Sequence, residues 1–152
     1  MMRSGMPYFI ATGCYSGLSP KAPGTVGSAV AALTGAGLLG ISPALLAPAA
    51  LAATIAGFWA VPQVAGPLED PGEVVIDEFA GQWLAMAALG HLSLWGVAAS
   101  FLLFRLFDIT KPGPIGWADR QPGAFGIMTD DIFAGATAAV ILLALRYLRW
   151  LP

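Results

Sequence analysis

Residues 22–68 read APGTVGSAVAALTGAGLLGISPALLAPAALAATIAGFWAVPQVAGPL, and no charged side chain interrupts them. A helix that crosses a bilayer needs about 20 apolar residues, so this stretch is long enough for two. The break between them falls around Gly40, Ser42 and Pro43, where turn-forming residues cluster. The pattern predicts helices over residues 25–39 and 44–64. Pro48 and Pro62 then sit near helix ends, where a missing amide matters least. Gly27, Ala31, Gly35 and Gly37 are small enough to let helix backbones approach closely in lipid, where packing replaces the hydrophobic drive.

Working outward, residues 79–104 form a second uncharged stretch, interrupted by Gly90, His91 and Ser93. It reads as a hairpin of two short apolar helices. Each arm has roughly 13 residues, about 20 Å at 1.5 Å per residue, which is short of a ~30 Å hydrocarbon core. A last helix is expected to start near Asp131 and run through Ala134, Ala138, Val140 and Leu143. Arg146 and Arg149 at its end are expected to snorkel to an interface that also suits Trp150. Residues 111–129 contain Pro112, Gly113, Pro114, Gly116, Pro122, Gly123 and Gly126, and read as a constrained polar loop. The expected fold is therefore all-α: a small polytopic membrane bundle of about five apolar helices with a Pro/Gly-rich loop, in a single domain over residues 1–152.

Composition agrees and removes several function classes. The chain of 152 residues is 57% hydrophobic and 11% charged, too oily for an ordinary soluble domain. Its formal charge is −2, and its seven Lys and Arg are scattered, so it lacks the basic stripe that nucleic-acid binding needs. One cysteine, Cys14, excludes an internal disulfide and a Cys-rich cluster; it is expected to be a buried thiol. One histidine, His91, excludes multi-histidine zinc sites and is placed in the hairpin turn, facing the opposite interface. Arg3 precedes apolar residues 6–11, a stretch shorter than a signal-peptide core.

A helical hairpin returns the chain to the face it left, and two hairpins return it twice. Residues 19–28, 69–78 and 105–131 therefore share one face. Lys21, Asp77, Glu78, Arg105, Asp108, Lys111, Asp119, Arg120, Asp130 and Asp131 all fall there. Asp77 and Glu78 enter the short hairpin while Arg105 and Asp108 leave it, so its two arms bring these four residues together. Such a set of oxygens suits a hard cation: Mg²⁺ takes one or two carboxylates, waters and phosphate oxygens. The competing reading is that Arg105 and Lys111 simply neutralise the acids as ion pairs. The Ser19 to Ser28 turn, rich in proline and glycine, offers Lys21, Thr25, Ser28 and a helix N-terminus to a phosphate. It lacks the P-loop pattern, so nucleotide binding is not supported. Glu69, Asp70 and Glu73 flank Pro71 and Gly72 and read as a solvated loop.

Four segments in order carry a family resemblance. They are Gly17-Leu18-Ser19-Pro20 through Pro23-Gly24-Thr25-Val26-Gly27-Ser28; Ile76-Asp77-Glu78-Phe79-Ala80-Gly81; Phe104-Arg105-Leu106-Phe107-Asp108 through Lys111-Pro112; and Gly126-Ile127-Met128-Thr129-Asp130-Asp131-Ile132-Phe133-Ala134-Gly135. With these segments the chain resembles the phosphatidylglycerophosphatase A family of bacterial lipid phosphatases. The resemblance implies an all-helical domain that hydrolyses a phosphate monoester on a glycerophospholipid, with Mg²⁺ as cofactor, at the cytoplasmic face of the inner membrane. Carried onto matching positions, it implies Asp77, Glu78, Asp108, Asp130 and Asp131 as acidic site residues and metal ligands. Arg105 and Lys111 are the accompanying basic residues, and the Asp119-Arg120 pair matches less securely.

On this reading Arg105 and Lys111 stabilise the phosphate, water is the nucleophile and Glu78 is the general base; a covalent aspartyl phosphate is the alternative. The expected partners are a phospholipid substrate and the membrane, with no nucleic acid; oligomeric state is left open. Cys14 has no arginine six positions later, so a cysteine-phosphatase loop is absent, and His91 alone cannot support a histidine-nucleophile phosphatase. The clustered acidic spacing of a CDP-alcohol phosphotransferase is also missing. A transporter or pump subunit, the remaining rival, would place ionisable residues within the spans. Lys21, Arg105, Lys111 and Arg120 orient the shared face to the cytoplasm by the positive-inside rule, against Arg146 and Arg149.

Overall fold

The structure, a computed structural model, describes residues 4–66 and 70–150. Seven α-helices make up the described fold: α1 (Met6–Ala11), α2 (Pro23–Ile41), α3 (Leu46–Val64), α4 (Ile76–Met86), α5 (Leu94–Thr110), α6 (Pro114–Asp119) and α7 (Gly123–Tyr147). Short 3-10 turns cover Ser16–Leu18 and Pro43–Leu45. No strand occurs among the described residues, so the expected all-α bundle is the observed one. Glu69 lies outside the described residues.

Among the described residues three helices are long and apolar enough to cross a membrane: Pro23–Ile41, Gly123–Tyr147, and α3 together with the turn before it, Pro43–Val64. Their outward faces carry Leu33, Leu51, Ile55, Trp59, Val140 and Leu143, all exposed, as expected of surfaces that meet lipid. The short hairpin is asymmetric. Its first arm, α4, has only 11 residues, and its second, α5, has 17.

α4 can be short because it is the central helix. It packs against α2, α3, α5 and α7, and eight of its residues, including Glu78 and Gln82, are buried. Small residues on its neighbours make room for it. Gly35 of α2 has no side chain to collide with Met86 and Trp83, and the Trp83 indole donates a hydrogen bond to the Ala31 carbonyl at 2.8 Å. The tightest crossing is with α7: a Cβ on Gly135 would run into the Gly81 backbone, with the Gly81 Cα only 2.8 Å away. Two glycines thus let the backbones of α4 and α7 touch. Because Asp77 and Glu78 precede Gly81 by four and three residues and Asp131 precedes Gly135 by four, Asp77 and Glu78 come beside Asp131.

The segment 111–129 is more regular than its composition suggests. Within it α6 forms, and α7 begins at Gly123, eight residues before Asp131. Pro114 occupies the first position of α6, where its missing amide is harmless. Gly116 lies against the Lys111 carbonyl and Gly126 against the Gln121 carbonyl. These glycines allow close packing and do not break the helices.

Three further expectations are corrected. Cys14 is exposed, in a turn where Gly13, Cys14 and Tyr15 all have positive φ. Arg146 does not snorkel outward; it folds back and donates to the Ala88 carbonyl just beyond the end of α4, satisfying a group the helix end leaves open. α2 is opened by Pro23, with Ala22 in the left-handed region before it, two residues ahead of the expected start at Thr25.

Candidate active site

At the end of the bundle where α4 and α7 begin and α5 stops, a cavity of about 480 Å³ is lined by Asp77, Glu78, Asp108, Lys111, Asp130 and Asp131. Six of the expected site residues thus share one wall system, as the two chain reversals require. Pro23 and Gly24 from the start of α2, Asp70 and Gly72, and Asp119 to Gly123 complete the lining.

The carboxylates fall into two sets. Asp77, Glu78 and Asp131 offer one oxygen each within 4.8 Å of one another, and so do Asp108, Asp130 and Asp131. Both expected readings of these acids are realised, in different places. Lys111 bridges Asp130, at 2.6 Å, and Asp119, while Arg105 pairs with Asp108. Asp77, Glu78 and Asp131 have no ion-pair partner among the described residues, and buried Asp77 Oδ1 and Glu78 Oε2 have no hydrogen-bond partner.

The electrostatics follow. Burial, and then the charge of Glu78, push Asp77 well above the usual carboxylate range. Burial and then nearby Asp131 raise Glu78 to about 8. Burial opposes the charge of Lys111, but the hydrogen bonds to Asp119 and Asp130 outweigh it and hold the ammonium above its ordinary range. Like charges crowded in low dielectric can be relieved by a proton or a cation. Oxygen-only donors, two of them buried and unpartnered, fit a hard divalent cation such as Mg²⁺. Gly24 adds to this fit, since a Cβ there would collide with Glu78 Oε1.

Not every expected residue reaches the cavity. Arg105 stands behind its wall: besides Asp108 it donates to Ser28 Oγ at 3.4 Å and Thr25 Oγ1 at 3.3 Å. Ser28 is itself bonded to the Gly24 carbonyl at 2.8 Å. Arg105, Thr25 and Ser28 therefore tie α5 to the start of α2 and hold Asp108 in place, and the geometry gives them a positioning role. Lys21 is exposed and does not line the cavity. Conversely, Arg120 lines the mouth, exposed and with no ion-pair partner among the described residues. Its place in the sequence, next to Asp119 in a Pro/Gly-rich segment, gave only a weak hint of this. Asp70, read as a solvated loop residue, is also at the cavity.

Fold and site together define a class: an all-helical membrane protein with an acidic pocket at one end of its bundle. The family model for phosphatidylglycerophosphatase A matches residues 9–146, and the chain belongs to that family of phosphoric monoester hydrolases. It is 40% identical to phosphatidylglycerophosphatase A of Escherichia coli, over 89% of this chain and 80% of that protein. It is 36% identical to the Haemophilus influenzae protein of the same name, over 92% and 88%. A protein of Bacteroides thetaiotaomicron, provisionally named a phosphatidylinositol-3-phosphatase, is 38% identical over 95% of this chain and 96% of its own. No solved structure matches the chain.

Proposed function

We propose that this chain is a Mg²⁺-dependent phosphatidylglycerophosphatase, which removes the terminal phosphate monoester of phosphatidylglycerophosphate to give phosphatidylglycerol and phosphate at the cytoplasmic face of a bacterial inner membrane. The observation that carries the reading is the pocket itself: five carboxylates converge at one end of an apolar bundle, and three of them have no ion-pair partner among the described residues. Membership of the family and the names of the Escherichia coli and Haemophilus influenzae relatives supply the substrate.

Asp77, Glu78, Asp108, Asp130 and Asp131 would hold the cation, which when bound draws negative charge from the phosphate oxygens. Lys111, on the cavity wall, and Arg120, at its mouth, meet the remaining phosphate charge. Arg105 keeps Asp108 in place. Glu78, a buried residue of the cavity lining whose Oε2 has no hydrogen-bond partner, is the group we assign to take the proton of an attacking water.

A lipid substrate is supported by a second groove of about 450 Å³, lined by Pro112, Gly113, Pro114, Ile115, Phe133, Ala136 and Thr137. It begins at Pro112, directly after Lys111 of the acidic pocket. On α7 Phe133 and Thr137 follow Asp130 by three and seven residues, about 5 and 10 Å along the axis. An acyl chain lying there would leave its head group at the acids. Asp130 and Asp131 lie inside the α7 span, but no ionisable residue follows them on that helix before Arg146, so no line of charged groups crosses the bundle, which speaks against a transporter.

The test is phosphate release by the purified chain in detergent, with phosphatidylglycerophosphate and phosphatidylinositol 3-phosphate as parallel substrates, with Mg²⁺ and with EDTA. Expected is release from phosphatidylglycerophosphate that EDTA abolishes and Mg²⁺ restores. Preference for the inositol lipid would favour the reading suggested by the Bacteroides relative's name. Release indifferent to EDTA would remove the cation from the proposal.

A further inference from the structure

We infer that the pocket is built for two divalent cations bridged by Asp131, an inference that rests on the phosphatase reading for the anion the pair would meet. Asp130 and Asp131 are successive residues of α7, so their side chains leave the helix about 100° apart. Asp130 turns to Lys111, and Asp131 comes beside Asp77 and Glu78 of α4. Asp131 is the one residue common to the two oxygen trios, Asp77 with Glu78 and Asp108 with Asp130. Its carboxylate has two oxygens, one for each side.

The spacing suits the ions. Opposite oxygens around an octahedral Mg²⁺ are about 4.2 Å apart, and the oxygens of each trio lie within 4.8 Å of one another, so small side-chain adjustments close each shell. Glu78 supplies an observation independent of the clustering: it is 8% exposed, lines the cavity and keeps Oε2 without a partner. Glu78 belongs to the trio that has no ion-pair partner among the described residues.

Charge decides between one ion and two. The five carboxylates of the trios, with Asp70 and Asp119 also on the lining, set against Arg105, Lys111 and Arg120, leave four negative charges. One divalent cation leaves a net negative pocket, which would repel a dianionic phosphate monoester. Two bring the pocket to neutrality, so that it no longer repels the anion. Paired ions about 3.5–4 Å apart are an established means of binding phosphate esters.

The experiment loads the full chain in detergent with Mn²⁺, counts bound ions by calorimetry and records the electron paramagnetic resonance spectrum. Expected are two Mn²⁺ per chain with an exchange-coupled spectrum. Asp131→Asn should lose the coupling, and Glu78→Gln should leave one uncoupled ion, with circular dichroism verifying that both variants keep their helices. A single uncoupled Mn²⁺ at saturation in the unaltered chain overturns the inference, and so does a coupled pair that survives Asp131→Asn. Phosphate release measured on the same samples separates the two readings. Release with one ion bound sinks the pair and leaves the phosphatase standing, whereas a coupled pair without release from either lipid does the reverse.

Discussion

The two ends of the bundle solve the same problem, how to finish helices inside an apolar assembly, in opposite ways. At the far end Met86, Leu89 and Leu142 fill the core, and one arginine, Arg146, closes the end of α4 through a main-chain carbonyl. At the near end Asp77, Glu78, Asp108, Asp130 and Asp131 crowd together, and buried oxygens are left without partners. The far end is arranged for stability. The near end gives stability up, since unpartnered buried carboxylates are costly, and such a cost is expected where function needs it.

The contrast is open to attack by mutation, beginning with the largest effect. Asp131→Asn is expected to lower phosphate release by about a thousandfold, or about 4 kcal/mol of barrier. Without cation it should also raise the thermal midpoint, because a repelling buried charge is gone. A fall in cation-free stability would break the comparison. Gly135→Leu forces α4 and α7 apart and should cost about 3 kcal/mol of stability, together with most of the activity, measured by thermal unfolding and phosphate release. Arg146→Met removes only the far-end closure. It is expected to cost about 1.5 kcal/mol while kcat stays unchanged, and a kcat loss would mean that the ends are coupled. The smallest effect is predicted for Ala136→Phe, which fills the groove beside the pocket. KM should rise several-fold for phosphatidylglycerophosphate with long acyl chains and stay constant for the deacylated head group.

Much of this was legible in the sequence, for a topological reason. Uncharged runs mark the membrane helices, and two reversals of direction bring Asp77, Asp108 and Asp130 to one end whatever the precise helix limits. What stayed hidden depends on side-chain direction and close packing. Arg105 falls at the right level of α5, but only three-dimensional contact shows it turned towards Thr25 and Ser28 and away from the cavity. The helix α6 and the early start of α7 were masked because Gly116, Gly123 and Gly126 look like breakers. In place, Gly116 and Gly126 are spacers that admit neighbouring carbonyls. Arg120 gave little sign, since an exposed cation in a loop is ordinary.

The contact of Gly81 with Gly135 carries a last consequence. It fixes the gap between the acid-bearing stretches of α4 and α7 by main chain against main chain, so no change of rotamer can move the two backbones apart or together. On the proposed reading the pocket would act as a calliper locked at one setting: a larger ion such as Ca²⁺, which wants longer bonds and more ligands, would have to pry two helices apart to enter.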